Sequence, residues 1–192
     1  MYKTIALVGF LALVWIGYVA WPLYDLFALV RAIEDRNIST VTRHVDFGRV
    51  RASLTNQVIA AYVRRTGIVI TPRQQQMAAA VSIADPIVSK LITPEALSDF
   101  LAAGWPLMVM SDPPPNTIGI DSNTIGTIRQ VFVAAEYGVG RFEVAAPVVL
   151  PPAQRFGLTF RLLNWRWRLV GVVLPEHIRD LLADELIKAL RK

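Results

Sequence analysis

The chain contains no cysteine, which excludes disulfide frameworks, thiolate metal sites, iron–sulfur clusters and cysteine nucleophiles. That absence suits an oxidising compartment as well as a reducing one. Histidine is nearly as scarce. His44 and His177 are the only two, and they are the only side chains whose ordinary pKa lies near neutrality. Neither sits in a recognisable motif: His44 reads as a helix end and His177 as the first turn of an amphipathic helix. Charged residues make up 18% of the chain, below the roughly 25% of ordinary soluble domains. A glycine-rich phosphate loop and a His-Glu-x-x-His zinc motif are both missing. Gly138-Val139-Gly140 lacks the third glycine and the following helix of a dinucleotide fingerprint. Asp121, Asn123 and Gly126 imitate the start of a calcium loop, but Ile125 and Phe132 occupy positions that need oxygen ligands. Asp46 reads as a helix cap rather than a general base beside Tyr62. No cofactor, metal or catalytic residue is implied, so the chain reads as a non-enzyme.

What the sequence does have is a long apolar opening. Of 192 residues, 54% are hydrophobic and the mean hydropathy is +0.42, enough for one domain with an additional helix. Residues 4–24 carry no charge, and at about 1.5 Å per residue they match the roughly 30 Å hydrocarbon layer of a bilayer. Trp15, Tyr18, Trp21 and Tyr24 resemble an interfacial aromatic belt. A cleaved signal peptide is the rival reading, but no A-x-A-like site occurs near residues 17–21, which favours an uncleaved signal anchor over residues 1–24. Lys3 and the α-amino group bias the N-terminus to the cytoplasm, against Arg31 and Arg36 beyond the span. The expectation is a single pass through a bacterial inner membrane with the C-terminal domain, residues 25–192, in the periplasm.

Within that domain, residues 25–110 read as mainly helical. Leu26, Leu29, Val30 and Ile33 continue the first helix to about Arg36, and Ser39 is the expected cap of a short helix ending near His44. Asp46 caps a third helix, whose stripe is Phe47, Val50, Leu54, Val58, Ala61 and Tyr62. Residues 71–90 form a weakly amphipathic stretch interrupted at Asp85-Pro86, and Thr93-Pro94-Glu95 opens another helix closed by Gly104. Residues 111–126 form a loop. Alternation then predicts four strands, at 127–137, 141–149, 156–163 and 165–174, in an antiparallel meander over residues 127–174. In the last of these Trp165, Trp167, Leu169 and Val173 are expected on one face, opposite Arg166, Arg168 and Val170. Residues 175–192 form a terminal helix with Ile178, Leu181, Leu182, Leu186 and Ile187 inward. The predicted class is α+β, with helices on one face of a curved four-stranded antiparallel sheet.

Pro22 and Tyr24, Ala32, the Val45-Asp46-Phe47 triplet with Arg51 and Leu54, and the closing Trp167-Arg168-Leu169 with Leu174-Pro175 together resemble the bacterial family called domain of unknown function 2939. Its members carry an N-terminal hydrophobic segment and an alanine-rich first helix. The resemblance is weakest over residues 66–127, and Asn37 stands where members tend to have aspartate. It implies membrane placement and this architecture, and no activity, cofactor or catalytic residue. The helix-then-meander order also resembles the cone of nuclear transport factor two-like domains, which host many unrelated functions.

Two surfaces are candidates for binding. Phe132, Phe160, Trp165 and Trp167 would line a pocket for a small apolar or lipid-like ligand if the fold is such a cone. Arg129, Arg141, Arg161, Arg166 and Arg168, part of a basic complement that is 16 Arg to 4 Lys, would contact anionic headgroups or an acidic partner if they share one face. The scatter of these residues argues against nucleic acid. The expected partners are the lipid bilayer through residues 4–24 and a membrane-protein complex or homo-oligomer. The resulting reading is a membrane-anchored accessory, assembly or binding domain, with the ligand pocket as the alternative.

Overall fold

The computed structural model describes residues 2–67, 88–107 and 117–190; the expected break at Asp85-Pro86 and the triple proline at 113–115 lie outside the described residues. The chain opens with α1 (Tyr2–Glu34), one 33-residue helix that is long and apolar enough to cross a membrane. Pro22 lies inside it and removes the N–H that would bond the Tyr18 carbonyl, yet the helix continues through that point. Its environment changes along its length. Residues 3–17 are exposed although almost all are apolar, whereas Leu23, Leu26, Leu29, Val30 and Ile33 are buried in the core. Their three- and four-residue spacing is that of one helix face turned toward a protein interior.

Two short connections follow. α2 (Ile38–His44) is capped by Asn37, whose side chain accepts from the Thr40 N–H, and not by Ser39. Ser39 instead donates its hydroxyl to the same Asn37 oxygen, because the chain enters the helix two residues earlier than expected. α3 (Phe47–Thr66) starts as the sequence predicts, with Asp46 accepting from the Arg49 N–H, and ends at Gly67 in the left-handed region. Residues 88–91 are helical. α4 (Pro94–Ala103) has the expected Thr93 cap, proline at its first turn and Gly104 at φ +80°.

The first predicted strand is a correction. Residues 128–134 form α5 (Ile128–Ala134), opened by a capping box in which the Thr127 side chain and the N–H of Gln130 pair, and the Gln130 side chain returns to the Thr127 N–H. Four orphan donors at a helix start need such partners, and this reciprocal pair satisfies two of them. Strand pairing begins only at β1 (Glu136–Gly138), followed by β2 (Arg141–Ala146), β3 (Phe156–Leu163) and β4 (Arg166–Val173). They form one antiparallel sheet in chain order. α6 (Glu176–Leu190) closes the described chain, with Ile178, Leu182, Ala183 and Leu186 buried and Leu181 and Ile187 half-buried.

The last strand also departs from simple alternation. The β3–β4 register shifts between Thr159 and Phe160, so that Val170 is an extra residue opposite no partner. A bulge of this kind reverses which face the later side chains occupy. Val172 is therefore buried and Val173 exposed, the opposite of the expected phase. β4 is an edge strand, and α3 covers it: Gln57 donates to the Val172 carbonyl at 2.7 Å and accepts from the Leu174 N–H at 2.8 Å, while the Asp46 N–H donates to the Leu169 carbonyl. Covering the edge removes a row of free donors and acceptors that would otherwise template aggregation. The inner face of the sheet presents Phe142, Val144, Phe160, Trp167 and Leu169 to the common core, where β4 meets α1 and α3.

Candidate functional site

Trp21 and Asp25 lie one turn apart on α1 and therefore on the same face. Opposite them, α2 ends in Arg43 and His44, basic residues well placed at a negative helix terminus. The chain leaving α2 is fixed at once, because Val45 forms a parallel bridge with Leu169 of β4. That bridge holds His44 against the Trp165-Arg166-Trp167 segment. The result is a cleft of ≈ 360 Å³ lined by Trp21, Asp25, Arg43, His44, Trp165, Arg166 and Trp167.

At its floor Asp25 Oδ1 stands 3.4 Å from His44 Nε2, with the two side chains only 12% and 19% exposed. The other ring nitrogen, Nδ1, is 2.9 Å from the Thr40 carbonyl. A carbonyl can only accept, so Nδ1 must carry a proton. Nε2 then faces a carboxylate, and the arrangement is satisfied only when that nitrogen is protonated as well. The Asp25 contact accordingly raises the His44 pKa above its ordinary 6.5 against the opposing effect of burial, with the Thr40 carbonyl adding to the rise. Both ring nitrogens face protein acceptors, Nδ1 the Thr40 carbonyl and Nε2 the Asp25 carboxylate, and neither is turned toward open space in the cleft. Asp25 Oδ2 and Trp167 Nε1 are enclosed without a hydrogen-bond partner among the described residues. With Arg43 and Arg166 around one carboxylate, the cleft has an excess of positive charge suited to an anion.

The residues singled out from sequence are placed as follows. Trp165 and Trp167 line this cleft, but Phe160 is completely buried with its ring on Phe142, and Phe132 projects from α5 against Tyr137. The four aromatics do not surround one cavity. Arg129 is exposed on α5 and so leaves the sheet. The other four arginines do share a face. Arg141, Arg161 and Arg168 are direct neighbours across β2, β3 and β4, and Arg166 follows Arg168 at the same phase. Arg141 is held by Glu143 at 2.6 Å. Asp46 is the α3 cap and pairs with Arg49. His177 lies half-buried in the first turn of α6, where burial lowers its pKa, and Asp121 accepts from the Asn123 and Thr124 N–H groups to form a tight turn. Among the described residues, no three His, Asp or Glu side chains cluster as a metal site would require.

The pairing of Asp25 with His44 was not read from the sequence. Its signal was an acidic residue on the helix face that also carries Leu26 and Leu29, since a buried carboxylate requires a partner.

Residues 11–100 match the family described as protein of unknown function (DUF2939). Over this stretch the chain is similar to that family. The DUF2939 match contains the Pro22, Tyr24, Ala32 and Val45-Asp46-Phe47 positions and both members of the Asp25–His44 pair. It extends through the 66–100 region, where the resemblance was expected to be weakest, and stops before the sheet, so Trp167-Arg168-Leu169 and Leu174-Pro175 lie outside it. No curated protein and no solved structure matches the chain.

Proposed function

We propose that this protein is a single-pass, membrane-anchored accessory domain that acts by binding or assembly rather than by catalysis, exposed to the periplasm from a bacterial inner membrane. The observation that carries this reading is the two-part environment of α1. Its apolar first half stands free of the domain, while its second half supplies Leu23, Leu26, Leu29 and Ile33 to the core. Exposed leucine, phenylalanine and tryptophan over fifteen consecutive positions are tolerable in lipid and costly in water. Lys3 and the α-amino group support the proposed orientation. The engagement of both His44 nitrogens supports a binding role for the cleft, with Arg43 and Arg166 as the recognition groups.

Alkaline carbonate washing of membranes tests the anchor: the intact chain stays in the pellet, and its release would overturn the proposal. Orientation is tested by a single cysteine at Val149→Cys, which reacts with a membrane-impermeant maleimide in spheroplasts if the domain is periplasmic. Affinity capture of the full-length protein from membranes, with residues 3–17 either native or replaced by an unrelated apolar helix, locates the interaction on the anchor or on the domain. A co-purifying apolar ligand in native mass spectra would favour the pocket alternative.

A further inference from the structure

The uncharged stretch of α1 continues for seven residues beyond the point where the domain closes on it. From Thr4 to Gly17 the helix stands clear, and those fourteen residues rise about 21 Å, roughly 9 Å less than a typical hydrocarbon layer. At the next residue the domain is already in contact. The Tyr18 hydroxyl donates to the Gly138 carbonyl and accepts from the Gly140 N–H at 2.8 Å, and its ring meets the edge of Trp167. The end of the sheet that holds the β1–β2 turn thus lies at the depth where the uncharged segment is still short of a full crossing.

The same end carries the β3–β4 turn, because a meander places its first and third turns together, and the Leu162 N–H bonds the Gly140 carbonyl between them. Both tips are apolar: Val139 is fully exposed and Trp165 is 79% exposed. Trp165 is in an unfavourable place on two counts. Asn164 and Trp165 are the central residues of a two-residue turn with φ +49° and +59°, a geometry that favours Asn-Gly. A tryptophan there combines left-handed backbone with an exposed indole, and such an outlier is a reason to look for a function.

Charge points the same way. Arg141, Arg161 and Arg168 form a like-charged row across three strands, which is destabilising without counter-charge. Glu143 neutralises Arg141, whereas Arg161 and Arg166 have no carboxylate partner among the described residues and Arg168 Nε has no hydrogen-bond acceptor there. Guanidinium groups beside interfacial tryptophan are suited to phosphates of a lipid headgroup layer.

Resting on the anchor reading above, we propose that this end of the sheet is seated in the anionic headgroup layer of the bilayer that α1 crosses, with Val139 and Trp165 as apolar tips and Arg161, Arg166 and Arg168 holding lipid phosphates. The domain is then fixed flat on the membrane rather than swinging on a tether.

The absence of native cysteine allows a direct test on the full chain. Nitroxide labels at Val139→Cys and, at the opposite end of the sheet, Val149→Cys are compared in nanodiscs of phosphatidylglycerol mixed with phosphatidylcholine. At 139, collisions with dissolved oxygen should exceed those with an aqueous nickel chelate, and at 149 the order should reverse. Equal water access at both positions in a chain that has entered the disc overturns this proposal and leaves the anchor standing; failure to enter the disc overturns both. Arg161→Glu with Arg166→Glu should lift position 139 into water, while Arg161→Lys with Arg166→Lys keeps it shielded, near-ultraviolet circular dichroism verifying that each variant is folded. An identical depth at 139 in discs of phosphatidylcholine alone overturns the requirement for an anionic headgroup layer, and no lift in the glutamate variant overturns the role of the arginines.

Discussion

Replacing Asp25 by asparagine should cost stability in acid and little in alkali. In the wild type, Asp25 Oδ1 and His44 Nε2 are 3.4 Å apart and largely shielded from water. At that separation and an effective dielectric constant near 20, the bare attraction is about 5 kcal/mol; after desolvation, a charge-assisted contact contributes roughly 1.5–3 kcal/mol. The folded state raises the His44 pKa above 6.5. A base with a raised folded pKa contributes stability that is fully present below 6.5 and is lost as pH rises through the folded value. Below pH 6, therefore, Asp25→Asn should lower the unfolding free energy by about 1.5–3 kcal/mol. Above the folded pKa the imidazole is neutral, with its proton on Nδ1 facing the Thr40 carbonyl. Its Nε2 lone pair then faces a carboxylate in the wild type but an amide donor in the variant, so the difference shrinks toward zero or reverses. Urea unfolding of both full-length proteins in the same detergent at pH 5.5, 7.0 and 8.5, followed by near-ultraviolet circular dichroism, reads this difference directly. Comparing variant with wild type cancels other titrating groups. A penalty that stays constant across the three pH values would refute the protonated pair.

Three further outcomes are expected. His177 has its pKa lowered by burial, so its contribution is complete above 6.5 and lost as pH falls toward the folded value; His177→Gln should flatten the acid side of the stability profile in the same unfolding series. Gln57→Leu strands the Leu174 N–H and leaves the Val172 carbonyl with only the Ser53 hydroxyl at 3.4 Å, and should destabilise by about 2 kcal/mol, measured from the shift of the urea midpoint. Trp165→Gly relieves a left-handed residue and should raise stability in detergent by roughly 1 kcal/mol, while reducing the shielding of a nitroxide at position 139 in anionic nanodiscs.

Local chemistry made much of the architecture legible. The Asp46 cap, Thr93-Pro94 with Gly104, the Gly138–Gly140 turn and the stripe of α6 each depend on neighbours within one or two turns, and each stands where the sequence places it. Residues 128–134 misled because Ile128, Val131, Phe132 and Val133 are strand-favouring types. The Thr-x-x-Gln capping pattern over 127–130 was the competing signal, and it prevailed. Other features depend on distant partners. The bulge at Val170 coincides with α3 docking on the β4 edge, where Gly171 brings its backbone close to the Ser53 hydroxyl, so no property of β4 alone marks the reversal of Val172 and Val173. Four of the five arginines share a face because the register of β2, β3 and β4 aligns them, which alternation within each strand left open; Arg129 fell away with the strand assigned to it. The Asp25–His44 pair joins two helices that local periodicity treats separately.

A tether and a domain that meet at residue 24 would be separable, and α1 does not offer that separation. The helix has no break there, and the residues immediately beyond it, Leu26, Leu29 and Val30, are among the most deeply buried in the chain. Tyr18, still within the uncharged segment, is already hydrogen-bonded to the β1–β2 turn. Tilting α1 therefore has to move the sheet with it or break core contacts, and truncating each buried leucine to alanine costs about 2–5 kcal/mol in such surroundings. An anchor of this kind transmits orientation as well as location. In the proposed arrangement, the height of the sheet above the lipid, and hence which of Arg161, Arg166 and Trp165 reach the headgroups, would be set by the position along α1 at which hydrocarbon gives way to protein.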